Sequence, residues 1–168
     1  SGATTVATEN AGSVTVNLND VASLTVKGGN YADTLAGGAL GQESLYGGAG
    51  NDVISSSGTS GGDSLNGGTG DDAIIHTGGQ KVVIDAGAGT DTVTIDETGT
   101  SAPIAMTVNG ASISLSDGST VRSAETINFV GGSGDDSFNL LRVASGTYSF
   151  DGGGGDNYAK LDFSSSSQ

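Results

Sequence analysis

Short clusters of apolar or β-branched residues recur at a nearly constant spacing of 9 to 11 residues through the first hundred positions. They centre on Val16, Val26, Leu35, Leu45, Ile54, Leu65, Ile74, Val83 and Val93. Gly, Asn, Asp and Ser fill the intervals, which is typical of short strands joined by turns. Such strands cannot bury a face alone, but stacked in register they pack each apolar side chain on those of the neighbouring coils. The period predicts an all-β fold, a right-handed parallel β-roll or β-solenoid with two short strands per coil.

The composition indicates a thin, repetitive core. The 168 residues include 31 glycines, one proline, no cysteine and no tryptophan, so few side chains could fill a layered globular core. Without cysteine there is no disulfide framework, and a metal ion is the usual alternative staple in an extracellular domain. The sequence contains no apolar run long enough to span a membrane and no signal-peptide pattern.

The formal charge is −14, from 5 basic and 19 acidic residues. Nucleic acids and anionic membranes require a basic face, so we expect no nucleic-acid binding and no membrane insertion. Cations are the natural partners of this chain. Alternatively, the acidity serves solubility or marks disorder, but the regular spacing of the acids argues against that interpretation.

Glycine-rich nonapeptides with aspartate at the sixth position lie between the clusters. The pattern G-G-x-G-x-D-x-U-x, where U is a large apolar residue, binds calcium. Residues 47–55, 67–75 and 131–139 match it fully, and 28–36, 58–66 and 86–94 each depart at one position. Glycine allows close backbone approach, so carbonyl oxygens can point at one centre to which aspartate adds a charge. Calcium takes six to eight such oxygens, magnesium suits the pattern less well, and zinc is disfavoured by the lack of cysteine and the single histidine.

The repeats resemble those of the repeats-in-toxin (RTX) family of secreted bacterial proteins, densely over 28–98 and sparsely over 127–163. The resemblance implies a β-roll that binds several calcium ions in its turns. It also implies type I secretion and folding outside the bacterial cell, as in large adhesins and surface-layer proteins. The motif glycines that we expect at the ions are Gly28, Gly47, Gly50, Gly67, Gly70, Gly87, Gly89, Gly131 and Gly134.

Four aspartates form the best-defined candidate site. Asp33, Asp52, Asp72 and Asp91 are 19, 20 and 19 residues apart, about two nonapeptides, so they should lie on one edge of successive coils. A file of carboxylates would repel itself unless cations lay between its members, so we expect an ion between each consecutive pair. The alternative for each aspartate is an Asx-turn that only organises its own backbone.

The opposite edge carries fewer acids. Glu43 and Asp63 correspond to the aspartates of the first row, and Lys81 or Val82 occupies the place of a third. We therefore expect at most one site on that edge.

A second cluster is indicated by Asp117, Asp136 and Asp156, which are 19 and 20 residues apart. The motif register would place Asn157 rather than Asp156 at the ligand position. A site between Asp136 and the loop 151–157 is favoured over one that uses Asp117, which lacks the glycines of the motif.

We interpret the chain as a single domain of five segments. These are N-terminal cap strands (1–27), a main calcium-binding block (28–98), a spacer (99–126), a second calcium-binding block (127–163) and a linker tail (164–168). The spacer contains no full nonapeptide, and its alternating pattern predicts longer strands in wider coils.

The favoured function is that of a calcium-dependent structural and folding module in a secreted bacterial surface protein, which can contact neighbouring copies. The alternatives are a polysaccharide-binding module that uses surface tyrosines and an accessory RTX domain of a secreted enzyme. No catalytic motif is visible and a thin solenoid offers little cleft, so the chain is not expected to be an enzyme. His76 is expected to be an ordinary exposed loop histidine.

Overall fold

The structure, a computed structural model, describes residues 4–7, 14–15, 23–38, 41–58, 62–142 and 145–162. Within these ranges it contains seventeen strands and no helix, and hence no helix that could cross a membrane. The strands are β1 (Thr4–Ala7), β2 (Val14–Thr15), β3 (Ser23–Lys27), β4 (Thr34–Ala36), β5 (Gln42–Ala49), β6 (Val53–Ser57), β7 (Asp63–Thr69), β8 (Ala73–Thr77), β9 (Val82–Ala88), β10 (Thr92–Asp96), β11 (Ala105–Asn109), β12 (Ser112–Leu115), β13 (Thr120–Arg122), β14 (Thr126–Val130), β15 (Ser137–Leu141), β16 (Thr147–Asp151) and β17 (Tyr158–Asp162). Val16 and the expected linker tail lie outside the described residues.

The chain winds between two sheets. The first sheet has ten strands in the order β1-β3-β5-β7-β9-β13-β12-β11-β15-β17, and the second has seven in the order β16-β14-β10-β8-β6-β4-β2. From β3 to β10, successive strands alternate between the sheets, and neighbours within each sheet are parallel. The predicted parallel β-solenoid with two short strands per coil is confirmed.

The core is a pair of aliphatic ladders between the sheets. Alternate residues of a strand point to opposite faces, so up to three positions per strand face inward. In the first sheet the central ladder consists of Leu45, Leu65, Ile84 and Val121, and in the second of Leu35, Ile54, Ile74, Val93 and Ile127. All nine are at most 1% exposed, and burial of each such side chain stabilises the fold by roughly 1.5–3 kcal/mol.

The expectation of an exposed loop histidine is wrong. His76 lies in β8, two positions after the ladder residue Ile74, and its side chain is 0% exposed. Its Nδ1 lies 2.8 Å from the hydroxyl of Ser56, and its Nε2 lies 3.1 Å from the carbonyl oxygen of Gln80. An inward strand position therefore buries the ring, and these partners satisfy both of its nitrogens.

The spacer is a meander rather than a set of wider coils, so that prediction is also wrong. The strands β11, β12 and β13 pair in antiparallel fashion within the first sheet, and β13 then lies parallel to β9. The turns fall at Asn109-Gly110 and Asp117-Gly118, where the glycines have φ of +65° and +93°. Asn-Gly and Asp-Gly favour tight hairpin turns, which reverse the chain.

Aromatic side chains fill the core beyond this meander. The rings of Phe129 and Phe150 stack with centroids 5.4 Å apart, and those of Phe138 and Phe150 stack at 5.3 Å. The ladders therefore change from aliphatic to aromatic where three strands of the first sheet face the single strand β14 of the second.

Candidate functional site

Loops along two edges of the solenoid join the sheets. We define the first edge as the set of loops that lead from the first sheet to the second. These loops are 28–33, 47–52, 67–72 and 86–91, followed by the segments directly before β14 and β16. The second edge is the set of loops that lead back to the first sheet. Acidic side chains lie on both edges, directly before or at the start of the next strand.

The four aspartates of the first edge are stacked on one another, as their spacing predicts. The backbone N–H of Asp33 donates to Oδ1 of Asp52 in the next coil, at 2.8 Å. Asp52 and Asp72 donate in the same way to the aspartates that follow them, each at 2.8 Å. Each of these bonds ties one coil to the next, so the aspartates do more than organise their own turns.

One oxygen of each aspartate in this row has no partner. The unpartnered atoms are Oδ1 of Asp33 and Oδ2 of Asp52, Asp72 and Asp91. All four side chains are at most 3% exposed. A buried anionic oxygen without a hydrogen bond or a counter-ion is costly, so the row needs compensation that the described side chains do not supply.

The first glycine of each loop leaves room where oxygens of two coils meet. A Cβ on Gly47 would collide with Oδ2 of Asp52 and with the carbonyl oxygen of Gly67 in the next loop. Gly67 has the same relation to Oδ2 of Asp72 and to the carbonyl oxygen of Ala86. An unpartnered carboxylate oxygen and a carbonyl oxygen from the next coil thus lie against the same glycine.

The later glycines of the loops also stack on carbonyl groups. Gly68 and Gly70 have φ of +114° and +123°, which only glycine adopts readily. A Cβ on Gly70 would collide with the carbonyl of Gly50. Gly87 stacks on Gly68, and Gly89 on Gly70, in the same manner. Gly28, at the start of the row, lies against Oδ2 of Asp33 and the carbonyl of Gly47.

The pKa values of the row reflect its burial. Desolvation is the largest cause and raises the pKa of Asp72 to about 6, with further repulsion from Asp52 and Asp91. The pKa values of Asp52 and Asp91 are raised for the same main reason. The hydrogen bond from the preceding coil opposes the shift in all three cases. These carboxylates therefore resist ionisation unless positive charge is brought to them.

The second edge begins with a shorter version of this arrangement. The N–H of Glu43 donates to Oδ1 of Asp63 at 3.1 Å, and Oε2 of Glu43 is buried without a partner. Burial is the main cause that raises the pKa of Glu43 to about 7. Val82 takes the third place, and its N–H donates to the hydroxyl of Ser119 at 2.9 Å. The aligned carboxylates on this part of the edge are thus a single pair.

Asp136 lies further along the same second edge and has no unpartnered oxygen. Its Oδ1 accepts from the N–H of Ile104 at 2.7 Å, and its Oδ2 accepts from the N–H of Gly132 at 3.2 Å. The N–H of Asp136 donates to Oδ1 of Asn157 at 2.7 Å. Asn157, rather than Asp156, therefore occupies the stacked position, as the motif register indicates.

Asp117 and Asp156 lie outside the stacked positions. Asp117 is in the turn between β12 and β13, where its carboxylate accepts from the N–H and the hydroxyl of Ser119 at 2.8 and 2.7 Å. Asp156 is exposed, and its N–H donates to Oδ1 of Asp135 at 2.8 Å. The structure therefore does not bring Asp117, Asp136 and Asp156 into one row.

A second set of hydrogen bonds joins the coils in the opposite direction. At the exposed fifth position of the motif, Oδ1 of Asn51 accepts the N–H of Asp71 at 2.9 Å, and Oδ1 of Asp71 accepts the N–H of Thr90 at 2.8 Å. The fifth-position side chain thus bonds to the following coil, whereas the aspartate of the row bonds to the preceding one. Neighbouring loops are held from both sides.

Sequence reasoning missed two glutamates. Oε2 of Glu125 accepts the N–H of Asp91 at 2.8 Å and so extends the first row beyond the meander. Glu97, directly after β10, is 0% exposed and has two unpartnered oxygens. Glu125 lies 34 residues after Asp91, so the 19- to 20-residue spacing of the row does not predict it. A signal was nonetheless present, because Glu125-Thr126-Ile127 repeats the order acid, threonine, aliphatic residue of Asp91-Thr92-Val93.

The donor set fits a hard cation that takes most of its ligands from the backbone. In the part of the chain that the structure describes, no three His, Cys, Asp or Glu side chains converge as a metal-binding group. Carbonyl oxygens next to unpartnered carboxylates are nonetheless the ligand type that calcium accepts. The chain matches no family model, no curated protein and no solved structure.

Proposed function

We propose that this chain is a calcium-dependent structural module of a secreted bacterial surface protein. The row of buried, unpartnered carboxylate oxygens on the first edge carries the proposal. Asp33, Asp52, Asp72 and Asp91, with carbonyl oxygens of the intervening glycine loops, would hold the ions between consecutive coils. Bound calcium would supply the positive charge that the row lacks.

The proposed mechanism couples binding to folding. Without cations, a chain of charge −14 repels itself and must bury several carboxylates, while its thin core contributes little free energy. Ions that bind only the folded state lower its free energy, so their binding free energy becomes folding free energy. Secretion through a calcium-poor cell interior and folding outside follow from the resemblance to RTX repeats.

The first test is to record far-ultraviolet circular dichroism and thermal melts from chelator to about 10 mM calcium, which spans the affinity range of extracellular sites. We expect β-structure and melting temperature to rise steeply with calcium and only weakly with magnesium. A chain with the same spectrum and the same melt in chelator and in calcium would refute the proposal.

Polysaccharide binding receives less support. The most exposed tyrosines, Tyr31 (64%) and Tyr158 (61%), lie in a first-edge loop and at the start of β17, respectively. They therefore do not form one stacking platform. Tyr46 lies on the outer face of β5, with the ammonium group of Lys27 5.7 Å from its ring centre.

A further inference from the structure

Glu97 opens the second-edge loop 97–104 in a position that glycine otherwise holds. The strand register places it beside Gly78 in one neighbouring coil and Gly131 in the other. The stacked position at the end of this loop, where Asp63, Asp136 and Asn157 lie in other second-edge loops, is occupied by Ile104. The loop thus lacks a carboxylate at its end but has one at its beginning.

The carboxyl group of Glu97 is unsatisfied in either protonation state. The side chain is 0% exposed, and neither Oε atom has a hydrogen-bond partner. The ionised group would leave a buried charge uncompensated, and the protonated group would leave its hydroxyl without an acceptor. An external group is needed at this position.

A cavity of about 320 Å³ lies between the loop that Glu97 opens and the turn of the meander. Its lining includes Gly79, the hydroxyl-bearing residues Thr100 and Ser116, and Asp117. Glu97 does not itself line the cavity, but it lies next to the lining residue Gly79, where an added Cβ would stand 3.4 Å from Oε2 of Glu97. The cavity therefore offers space and oxygen atoms close to the unsatisfied carboxyl group, on the other side of Gly79.

The surroundings of Glu97 are negative. Burial, and then repulsion from Asp117, Asp96 and Asp136, raises the pKa of Glu97 to about 8. An anionic ligand would add to this repulsion, whereas a cation would relieve it. Oxygen atoms without sulfur or imidazole favour a hard cation of the calcium type.

We infer that Glu97 is the carboxylate ligand of an additional calcium site at the junction between loop 97–104 and the meander. Oxygens of the loop and water would complete the coordination shell, with Asp117 contributing charge. The inference rests on the proposed function for the identity of the ion, but the site is separate from the aspartate row. The rival occupant is a water molecule beside a protonated Glu97.

Equilibrium dialysis of the full chain against calcium, with bound metal measured by atomic absorption, tests the inference. We expect Glu97→Gln to bind one ion fewer than the wild type. Asp96→Asn, which removes the same charge from the neighbouring residue, should bind as many as the wild type. An unchanged ion count in Glu97→Gln, with a reduced count in Asp72→Asn, would overturn this inference and leave the proposed function intact. A wild type that binds no calcium would overturn both.

A measurement on the wild type covers the case in which Glu97→Gln does not fold. Crystals grown in calcium should show an anomalous scattering peak about 2.3–2.6 Å from a Glu97 oxygen. Peaks along the aspartate row with only water at Glu97 would overturn the inference.

Discussion

The loops 67–72 and 131–136 have the same motif but different structures. In loop 67–72, two glycines have positive φ, and Asp72 keeps a buried, unpartnered oxygen. In loop 131–136, no residue has positive φ, and N–H groups bind both oxygens of Asp136. Identical motif residues therefore produce a carboxylate with a buried, unpartnered oxygen in one loop and a satisfied carboxylate in the other.

The neighbouring loops explain this difference. Loop 67–72 stacks between 47–52 and 86–91, whose glycines have the same positive φ, so carbonyl groups meet glycines on both sides. Loop 131–136 stacks on 97–104, where Gly132 lies against the carbonyls of Glu97 and Thr100. The candidate site is thus a property of two matched loops, which a single nonapeptide does not define.

The largest expected effect on calcium-dependent stability distinguishes Asp72 from Asp136. Asp72→Asn should lower calcium-dependent stability by up to about 5 kcal/mol, because Asp72 would serve two ions and each contributes about 2.7 kcal/mol at 100 times its Kd. Asn can still accept the hydrogen bond, as Asn157 does, so the variant tests the charge alone. Urea melts with and without calcium measure the difference.

Asp136→Asn is the matched control for Asp72→Asn. We expect it to change the calcium-dependent part of the stability by less than about 1 kcal/mol, because no oxygen of Asp136 lacks a partner. Equal losses of calcium-dependent stability in the two variants would mean that the unpartnered oxygen of Asp72 does not distinguish it energetically from Asp136.

Gly68→Ala tests the stacking between loops and should cost about 3 kcal/mol or more, with or without calcium. Its φ of +114° is strained for alanine, and the new Cβ would collide with the carbonyl of Gly48. In the control Gly110→Ala, φ is +65° and no atom lies within 4 Å of the new Cβ. The control should cost about 1 kcal/mol. Equal costs from chemical denaturation would show that the carbonyl contact contributes nothing.

The pH dependence should reveal the buried acids. The pKa values of Glu43, Asp72 and Glu97 rise to about 7, 6 and 8 in the folded chain, whereas they lie near 4 in the unfolded chain. Between these values the folded state holds more protons, so raising the pH favours unfolding. Calcium-free stability should therefore fall by about 2 kcal/mol or more between pH 4 and pH 8.

Thermal melts at fixed ionic strength measure this pH dependence. Asp72→Asn should flatten the decline and Asp136→Asn should preserve it, while saturating calcium should remove it in the wild type. Calcium-free stability that rises over the same pH range would contradict the burial of unpaired carboxylates.

The smallest expected effect concerns the place where the second edge lacks an acid. Ser119→Ala should cost about 1–2 kcal/mol because the buried N–H of Val82 loses its acceptor. The loss should be the same with and without calcium. Ser114→Ala, at an exposed position of β12, is the control and should be nearly neutral. A calcium-dependent loss at Ser119 would place an ion at this point of the edge.

The sequence predicts the structural features that recur from coil to coil, but not those that depend on how the chain connects the coils. The ladders as far as Val93 and the row from Asp33 to Asp91 follow from a period that the coils before the meander obey. Glu125 joins the row only after the meander brings the chain back beside β10, so its position in the sequence does not reveal its place in the structure. The turns Asn109-Gly110 and Asp117-Gly118 carry the signal for that meander, but the alternating pattern alone predicts wider coils.

The chemistry of individual side chains was harder to predict than their position. The motif gives Asp72 and Asp136 the same role, yet the N–H of the motif's own second glycine, Gly132, binds Oδ2 of Asp136, whereas Oδ2 of Asp72 has no partner. Glu97 replaces a glycine, so a search for aspartates at the sixth position passes over it. His76 shows the reverse error, since a polar residue between apolar clusters is expected in a loop and not at an inward strand position.

The meander has a mechanical consequence for the solenoid. Between β9 and β15 the first sheet contains three strands, while the second sheet has only β14 between β10 and β16. Two additional strands lengthen one side of the stack by about 10 Å, because neighbouring strands lie about 4.8 Å apart. Such a difference in length would bend the solenoid axis towards the shorter sheet at the level of β14, the strand that carries the stacked ring of Phe129. The two hairpin turns of the meander would therefore set the direction of the coils after the meander relative to the coils before it.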